Sequence, residues 1–159
     1  MSYLWIKWLH VLGSAILFGT GLGIAFFAWF GYRRGMREGE IALVRGVLRL
    51  TVRADTVFTA VAAALQPATG YLLWRMTGGQ WPDRWLTSVI ALYVLVGACW
   101  LPVVWLQIRL RDAATAAGSV EQLDARFHRR FRLWFALGWP AFIGVMGLFA
   151  LMLTRSYFT

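Results

Sequence analysis

Residues 11–32, VLGSAILFGTGLGIAFFAWFGY, contain no charged side chain, and this run decides what the chain can fold into. A helix needs about 20 residues to cross the hydrocarbon of a bilayer, and this run supplies 22. Tyr3, Trp5 and Trp8 stand before it, and Phe26, Phe27, Trp29 and Tyr32 close it, as rings do at membrane–water boundaries. A single histidine, His10, lies just inside one boundary. Polar groups at that depth are costly, so His10 is the first residue to carry a functional reading.

Three more runs meet the same length requirement. The four expected spans cover residues 4–32, 51–74, 85–108 and 133–154. Each is continuously apolar rather than alternating, which indicates helices and not a barrel. Only 14% of residues are charged, against roughly 25% in soluble domains. The expectation is an all-α integral membrane protein: one transmembrane domain over residues 1–159, a four-helix transmembrane bundle with short amphipathic cytoplasmic helices.

The formal charge of +9 resides in 16 basic residues, all arginine except Lys7. Arg33, Arg34, Arg37, Arg45, Arg49 and Arg53 fall between the first two spans, and Arg109, Arg111, Arg126, Arg129, Arg130 and Arg132 between the last two. The opposite side holds only Lys7, Arg75, Arg84 and Arg155. This asymmetry places both long loops in the cytoplasm and both termini outside. No basic stripe with interleaved stacking aromatics lies outside the spans, so the charge sets topology and does not bind nucleic acid. The start lacks the basic n-region of a cleaved signal peptide, and its apolar run is too long for one, so the first helix is expected to stay as an anchor. Cys99, alone within an apolar run, reads as a small packing residue with no disulfide partner.

Between the first two spans, Ile41, Val44, Val47 and Leu48 recur at helical spacing, with Arg45 and Arg49 on another face. Residues 40–53 are therefore either a helix lying along the membrane surface or an ordinary helical extension of the second span. Asp83 is placed to cap the third helix, and Ser119 with Gln122 suggests a capping box before the fourth. Ala15, Gly19 and Gly23 in the first span, with Ala60 and Ala64 in the second, form small-residue stripes that let helices approach closely. Pro67, Pro102 and Pro140 predict kinks, and Pro67 frees a carbonyl near Ala63.

By helix rise, His10 lies about 9 Å below the outer end of its span, and Gln66 and Tyr93 about 13 Å deep in theirs. Packed antiparallel, the three converge as a polar network holding the bundle, as a ligand site, or as a proton relay. Asp55, at the membrane entry of the second span, is expected to pair with Arg53, Arg132 or another loop arginine. His128, in the basic run RFHRRFR, reads as solvated or headgroup-contacting. About 30 Å of hydrocarbon separates it from His10, so the two cannot clamp one haem iron. A haem held by His10 needs Met146 or Met152, a second protomer's His10, or an open position on its other face. No HExxH, and no GxGxxG or GxSxG in a usable context, is present.

The segments ADTVFTAVAAALQPATGYLL, WLHVLGSAILFGTGLG and RLWFALGWPAFIGVMGLFALM resemble the DUF2269 group of bacterial membrane proteins over all four spans. That resemblance implies the bacterial cytoplasmic (inner) membrane and no established activity. The opening YLWIKWLH also resembles the HemJ-type protoporphyrinogen oxidases, which implies a haem b ligand at His10. Val89 stands where that enzyme type carries a lysine, and LGWP, Leu137 to Pro140, replaces its Asn-Glu pair before proline. The resemblance thus implies a scaffold that seats haem rather than that oxidation. Two functions follow: a b-haem protein with an electron-transfer or redox-sensing role, using His10 with Gln66 and Tyr93 nearby, or a non-catalytic packing or assembly subunit. Expected partners are membrane lipids and a homo-oligomer or larger membrane complex.

Overall fold

A computed structural model describes residues 2–154; Arg155 of the charge count lies outside the described residues. Helix α1 runs Ser2–Glu38, α2 Ile41–Ala54, and a π-helical segment Asp55–Thr59 joins α2 without a break to α3, Ala60–Met76. Helix α4 follows at Arg84–Ala116, then a short 3-10 turn, Val120–Gln122, and α5 at Ala125–Leu153. The described residues contain no strand. Four continuous helices, Ser2–Glu38, Ile41–Met76, Arg84–Ala116 and Ala125–Leu153, are long and apolar enough to cross a membrane. The second, at 36 residues, is about 54 Å long. All four therefore extend past the hydrocarbon, mainly at the arginine-rich end.

Local chemistry accounts for the breaks. Gly39, at φ 72°, takes the left-handed conformation that ends α1 and turns the chain into α2. Asp83 caps α4 as its sequence position implied, accepting from Leu86 N–H at 2.9 Å. Its second oxygen accepts from the Trp74 indole at 2.7 Å, which fixes the loop to the end of α3. The start of α5 differs from expectation. Ser119 makes no side-chain cap, and Gln122 accepts from Gly118 N–H instead. Asp124 caps the helix, accepting from Phe127 N–H at 2.7 Å. An acid outcompetes Ser119 because it stands directly before the helix, where the orphan N–H groups point.

Of the two readings of residues 40–53, the extension holds. Helix α2 stacks upright with Val44, Leu48, Thr51 and Val52 buried, and it packs against α1 and α4. Its Arg45 reaches the end of α4, donating to the Ala114 and Ala117 carbonyls at 3.3 and 2.8 Å. These are the carbonyls a helix end leaves unpaired, in the field that favours a cation.

In the remainder of the bundle the helices pair, α1 with α3 and α4 with α5, while α3 and α4 barely touch. The packed core lies toward the arginine-rich end, where Leu48, Leu106, Leu110, Phe127, Phe131 and Trp134 are buried together. The most apolar window of α5 buries nothing.

The expected α1–α3 contact forms, but other small residues make it. A Cβ on Gly13 would lie 2.6 Å from Gln66 Nε2, and one on Gly70 3.3 Å from the His10 ring. Gly31 and Gly35 fit α1 against α2, each 2.5 Å from a valine methyl by the same construction. Gly19 and Gly23 face open space, and Ala15, Gly19 and Ala64 are exposed. The stripe of small residues is thus turned away from this chain's own helices.

Gly35→Ala should therefore destabilise the bundle by roughly 1–3 kcal/mol, because Val44 and the Glu40 carbonyl leave no room. Gly19→Ala should stay within about 0.5 kcal/mol of wild type. Reversible unfolding in mixed detergent–SDS micelles reads both, and equal costs would show that the α1–α2 seam is misplaced.

Candidate functional site

Two polar clusters interrupt the apolar helices. The first is built on His10. Its Nδ1 lies 2.7 Å from Thr69 Oγ1, and Thr69 in turn donates its one hydroxyl hydrogen to its own helix, to the Leu65 carbonyl at 2.8 Å. The Gln66 carbonyl lies 3.2 Å from the same hydroxyl, and a hydrogen directed to either carbonyl leaves the Thr69 oxygen to accept from Nδ1 and Nε2 with the lone pair. No hydrogen bond to Nε2 forms among the described residues. An imidazole held through one nitrogen with the other open is the arrangement that metal-ligating histidines adopt.

Gln66 joins this cluster, as its depth implied, through the backbone of α1 rather than the ring. Its Nε2 donates to the His10 backbone carbonyl at 3.0 Å, and its Oε1 accepts from Ser14 Oγ at 3.1 Å. Ser14 also donates to the His10 carbonyl at 2.8 Å. Gln66 thus clamps the backbone of α1 and leaves the ring to Thr69, with Gly13 and Gly70 giving the two helices the necessary approach. Thr69 went unnoticed in the sequence because threonine is common in spans. The available signal was its spacing, three residues after Gln66 and on the same helix face.

Tyr93 does not join His10. Its hydroxyl donates to the Ala63 carbonyl on α3. Pro67 explains this: without an N–H it cannot satisfy the carbonyl four residues earlier, and hydrocarbon offers no water to do so. The phenol supplies the missing donor and links α3 to α4. Met146 and Met152 are exposed on α5, and neither enters the His10 network. Helix α5 meets α1 through Phe18, stacked on Phe142 at 5.2 Å.

The second cluster surrounds Asp55. The expected ion pair with Arg53 is not formed. Asp55 is 6% exposed, while Arg53 is exposed at the helix surface, and the ion pairs formed among the described residues are Arg34–Glu38, Arg37–Glu38 and Arg111–Asp112. Instead Asp55 Oδ2 accepts from Gln107 Nε2 at 2.7 Å and Oδ1 from the Trp100 indole at 3.3 Å. Gln107 is itself 2% exposed, and its Oε1 accepts from the Trp134 indole at 3.3 Å. An indole only donates, so Trp134 fixes which way the Gln107 amide points. Arginine loses to these neutral donors because Arg53 and Asp55, two residues apart on a helix, point to different sides.

His128 is also placed differently from expectation. Its Nδ1 lies 2.7 Å from Tyr32 Oη, and Tyr32 stacks on Phe131 at 3.9 Å. Tyr32 stands 22 residues after His10 on α1, about 33 Å along the helix. The two histidines therefore occupy opposite ends, as the spans required. No group of three or more His, Cys, Asp or Glu able to hold a metal occurs among the described residues.

Tyr93→Phe should leave the Ala63 carbonyl unpaired and lower stability by roughly 0.6–1.7 kcal/mol. In a Pro67→Ala background the restored N–H makes the same substitution nearly silent. Unfolding in mixed micelles measures the four-way comparison, and an equal cost in both backgrounds would sever the link between Pro67 and Tyr93.

The family described as a predicted integral membrane protein (DUF2269) matches residues 4–156. No curated protein and no solved structure matches the chain.

Proposed function

We propose a role for this chain, which belongs to the DUF2269 family of predicted integral membrane proteins: it holds b-type haem through His10 Nε2 and serves electron transfer or redox sensing. The observation that carries the reading is the Thr69–His10 contact, which engages Nδ1 and leaves Nε2 without a hydrogen bond among the described residues. The similarity of YLWIKWLH to a haem-ligating opening agrees with it. Bound haem would supply one-electron exchange at iron. The chain's own part is to orient the imidazole, hold a proton on Nδ1 and keep water away.

The donor chemistry fits an iron ligand; the room does not enclose a whole porphyrin. An apolar groove of about 230 Å³ lies on the same helix pair, lined by Leu9, Leu12, Gly13, Ile16, Val61 and Leu65 among others. That is less than the 300 Å³ or more of a small-molecule pocket. His10 does not line that groove, so a haem held by its Nε2 would lie mainly against lipid or a second copy. His10 is the residue of this chain that would hold the iron, and a second ligand would have to come from another copy of the chain. The arginine-rich end faces the cytoplasm of a bacterial inner membrane, and both termini lie outside, following the arginine count.

The second reading, a packing subunit of a larger membrane complex, draws on the Ala15/Gly19/Gly23 face, which has open space where a neighbouring helix would sit. The absorption spectrum of protein purified in detergent from haem-replete cells separates the two. Haem binding predicts a Soret band that His10→Ala removes without loss of insertion, and that Thr69→Val weakens several-fold in retention. A low-spin spectrum indicates two histidines, a high-spin one an open face. Colourless protein that takes up no added haemin overturns the haem reading and leaves the subunit.

A further inference from the structure

The Asp55 cluster is separate from the His10 site. Gln66 lies eleven residues beyond Asp55 on the same continuous helix, about 16 Å away along it. The carboxylate sits in the π-helical segment, and such segments gather at functional positions. An acid at membrane depth without a cation is costly to keep charged.

Among the described residues no charged group pairs with it. On its own helix, Arg49 and Arg53 are exposed, and nothing titratable follows until Tyr71. Helix α1 offers no titratable side chain between His10 and Tyr32. Helix α4 brings Tyr93, engaged with Ala63, then Cys99 and the exposed Arg109; α5 brings the exposed Arg132. The partners that do face Asp55, Gln107 and Trp100, only donate, Gln107 because Trp134 holds its amide in that sense. Neither can accept a hydrogen from a protonated carboxyl.

One neighbour can. Thr59, one turn on, is 6% exposed, and its hydroxyl stands beside the carboxylate as a weak donor, short of a well-formed hydrogen bond. A buried hydroxyl left open is rare and calls for an explanation. A hydroxyl can turn its hydrogen toward the ionised carboxylate and its lone pair toward the protonated acid, which neither Gln107 nor Trp100 can do.

We propose that Asp55 and Thr59 form a proton-binding site inside the bundle, with Asp55 taking the proton and Thr59 Oγ1 accepting the resulting O–H. The proton arrives from hydronium: an O–H bond forms on a carboxylate oxygen, water is released, and no electron moves. Neutralising Asp55 weakens its bond from Trp100, since hydrogen bonds to a charged acceptor are roughly twice as strong. Proton uptake therefore loosens a contact between α4 and the π-helical segment.

Infrared difference spectroscopy of the full chain in lipid nanodiscs tests this between about pH 4 and pH 9, the range from ordinary to strongly raised carboxyl values. A carboxylic C=O stretch should grow as pH falls, vanish in Asp55→Asn and move to higher frequency in Thr59→Val, which keeps the acid but removes its acceptor. The Trp100 indole band should change with the same midpoint. Wild-type and Asp55→Asn difference spectra that coincide overturn the site. Should Asp55→Asn fail to insert, Thr59→Val decides alone: an unmoved band overturns the proposal. The readout does not involve His10, so haem binding and proton binding stand or fall separately.

Discussion

Hydrocarbon cannot solvate a polar group, so every carbonyl, carboxylate or amide in a span must find its partner inside the chain. In this bundle such partners occur both within the α1–α3 pair and across to α4. Helices α3 and α4 scarcely pack against each other. They are nevertheless joined by Tyr93 on the Ala63 carbonyl, and Gln107 and Trp100 on Asp55 join α4 to the π-helical segment that leads into α3. The α1–α3 and α4–α5 pairs are thus tied by hydrogen bonds as well as by side-chain packing, of α2 on α4 and of the α1 rings on those of α5. Each tie answers a specific deficit, a missing proline N–H in one case and a buried charge in the other. Individually such bonds are worth roughly 0.6 kcal/mol in a membrane, up to about 1.7. Between α3 and α4 the Tyr93 bond has few packing contacts beside it.

The two ends of the bundle differ accordingly. Toward the arginine-rich end, Leu48, Leu110, Phe127 and Phe131 are almost wholly buried, and Trp29 stacks on Phe135 at 4.3 Å. Toward the other end, Trp5, Trp8, Leu9 and Val11 are exposed around His10. A histidine with an open nitrogen lies in the sparsely packed half, where a cofactor or a second chain can approach. The buried acid lies at the edge of the tightly packed half, where a change of charge is felt by several helices.

Much of the fold was legible in the sequence, because length and hydropathy suffice for spans, and Asp83 announced its helix by position. Side chains that meet across spans were legible only in part. A helix that is apolar all round gives no sign of which face turns inward. For that reason Gly19 and Gly23 looked like contact residues while Gly13 and Gly70 make the contact, and Tyr93 was placed with His10 by depth alone. Where the pattern was amphipathic, in α2, the inward face was readable: Val44 and Leu48 are buried as their spacing implied. The carbonyl freed by Pro67 was foreseeable; the identity of its donor was not, since Tyr93 comes from another helix. Likewise the cost of burying Asp55 was plain, but the answer lay in Gln107 and Trp100, about fifty residues away in sequence.

The most direct test of this picture is a double-mutant cycle on Asp55→Ala and Gln107→Ala, read as unfolding free energy in mixed detergent–SDS micelles. If the two helix pairs depend on that tie, the residues should couple by roughly 1–2 kcal/mol, the double variant costing less than the sum of the singles. Additive costs, within about 0.3 kcal/mol, would contradict the account and return the stability of the bundle to side-chain packing alone.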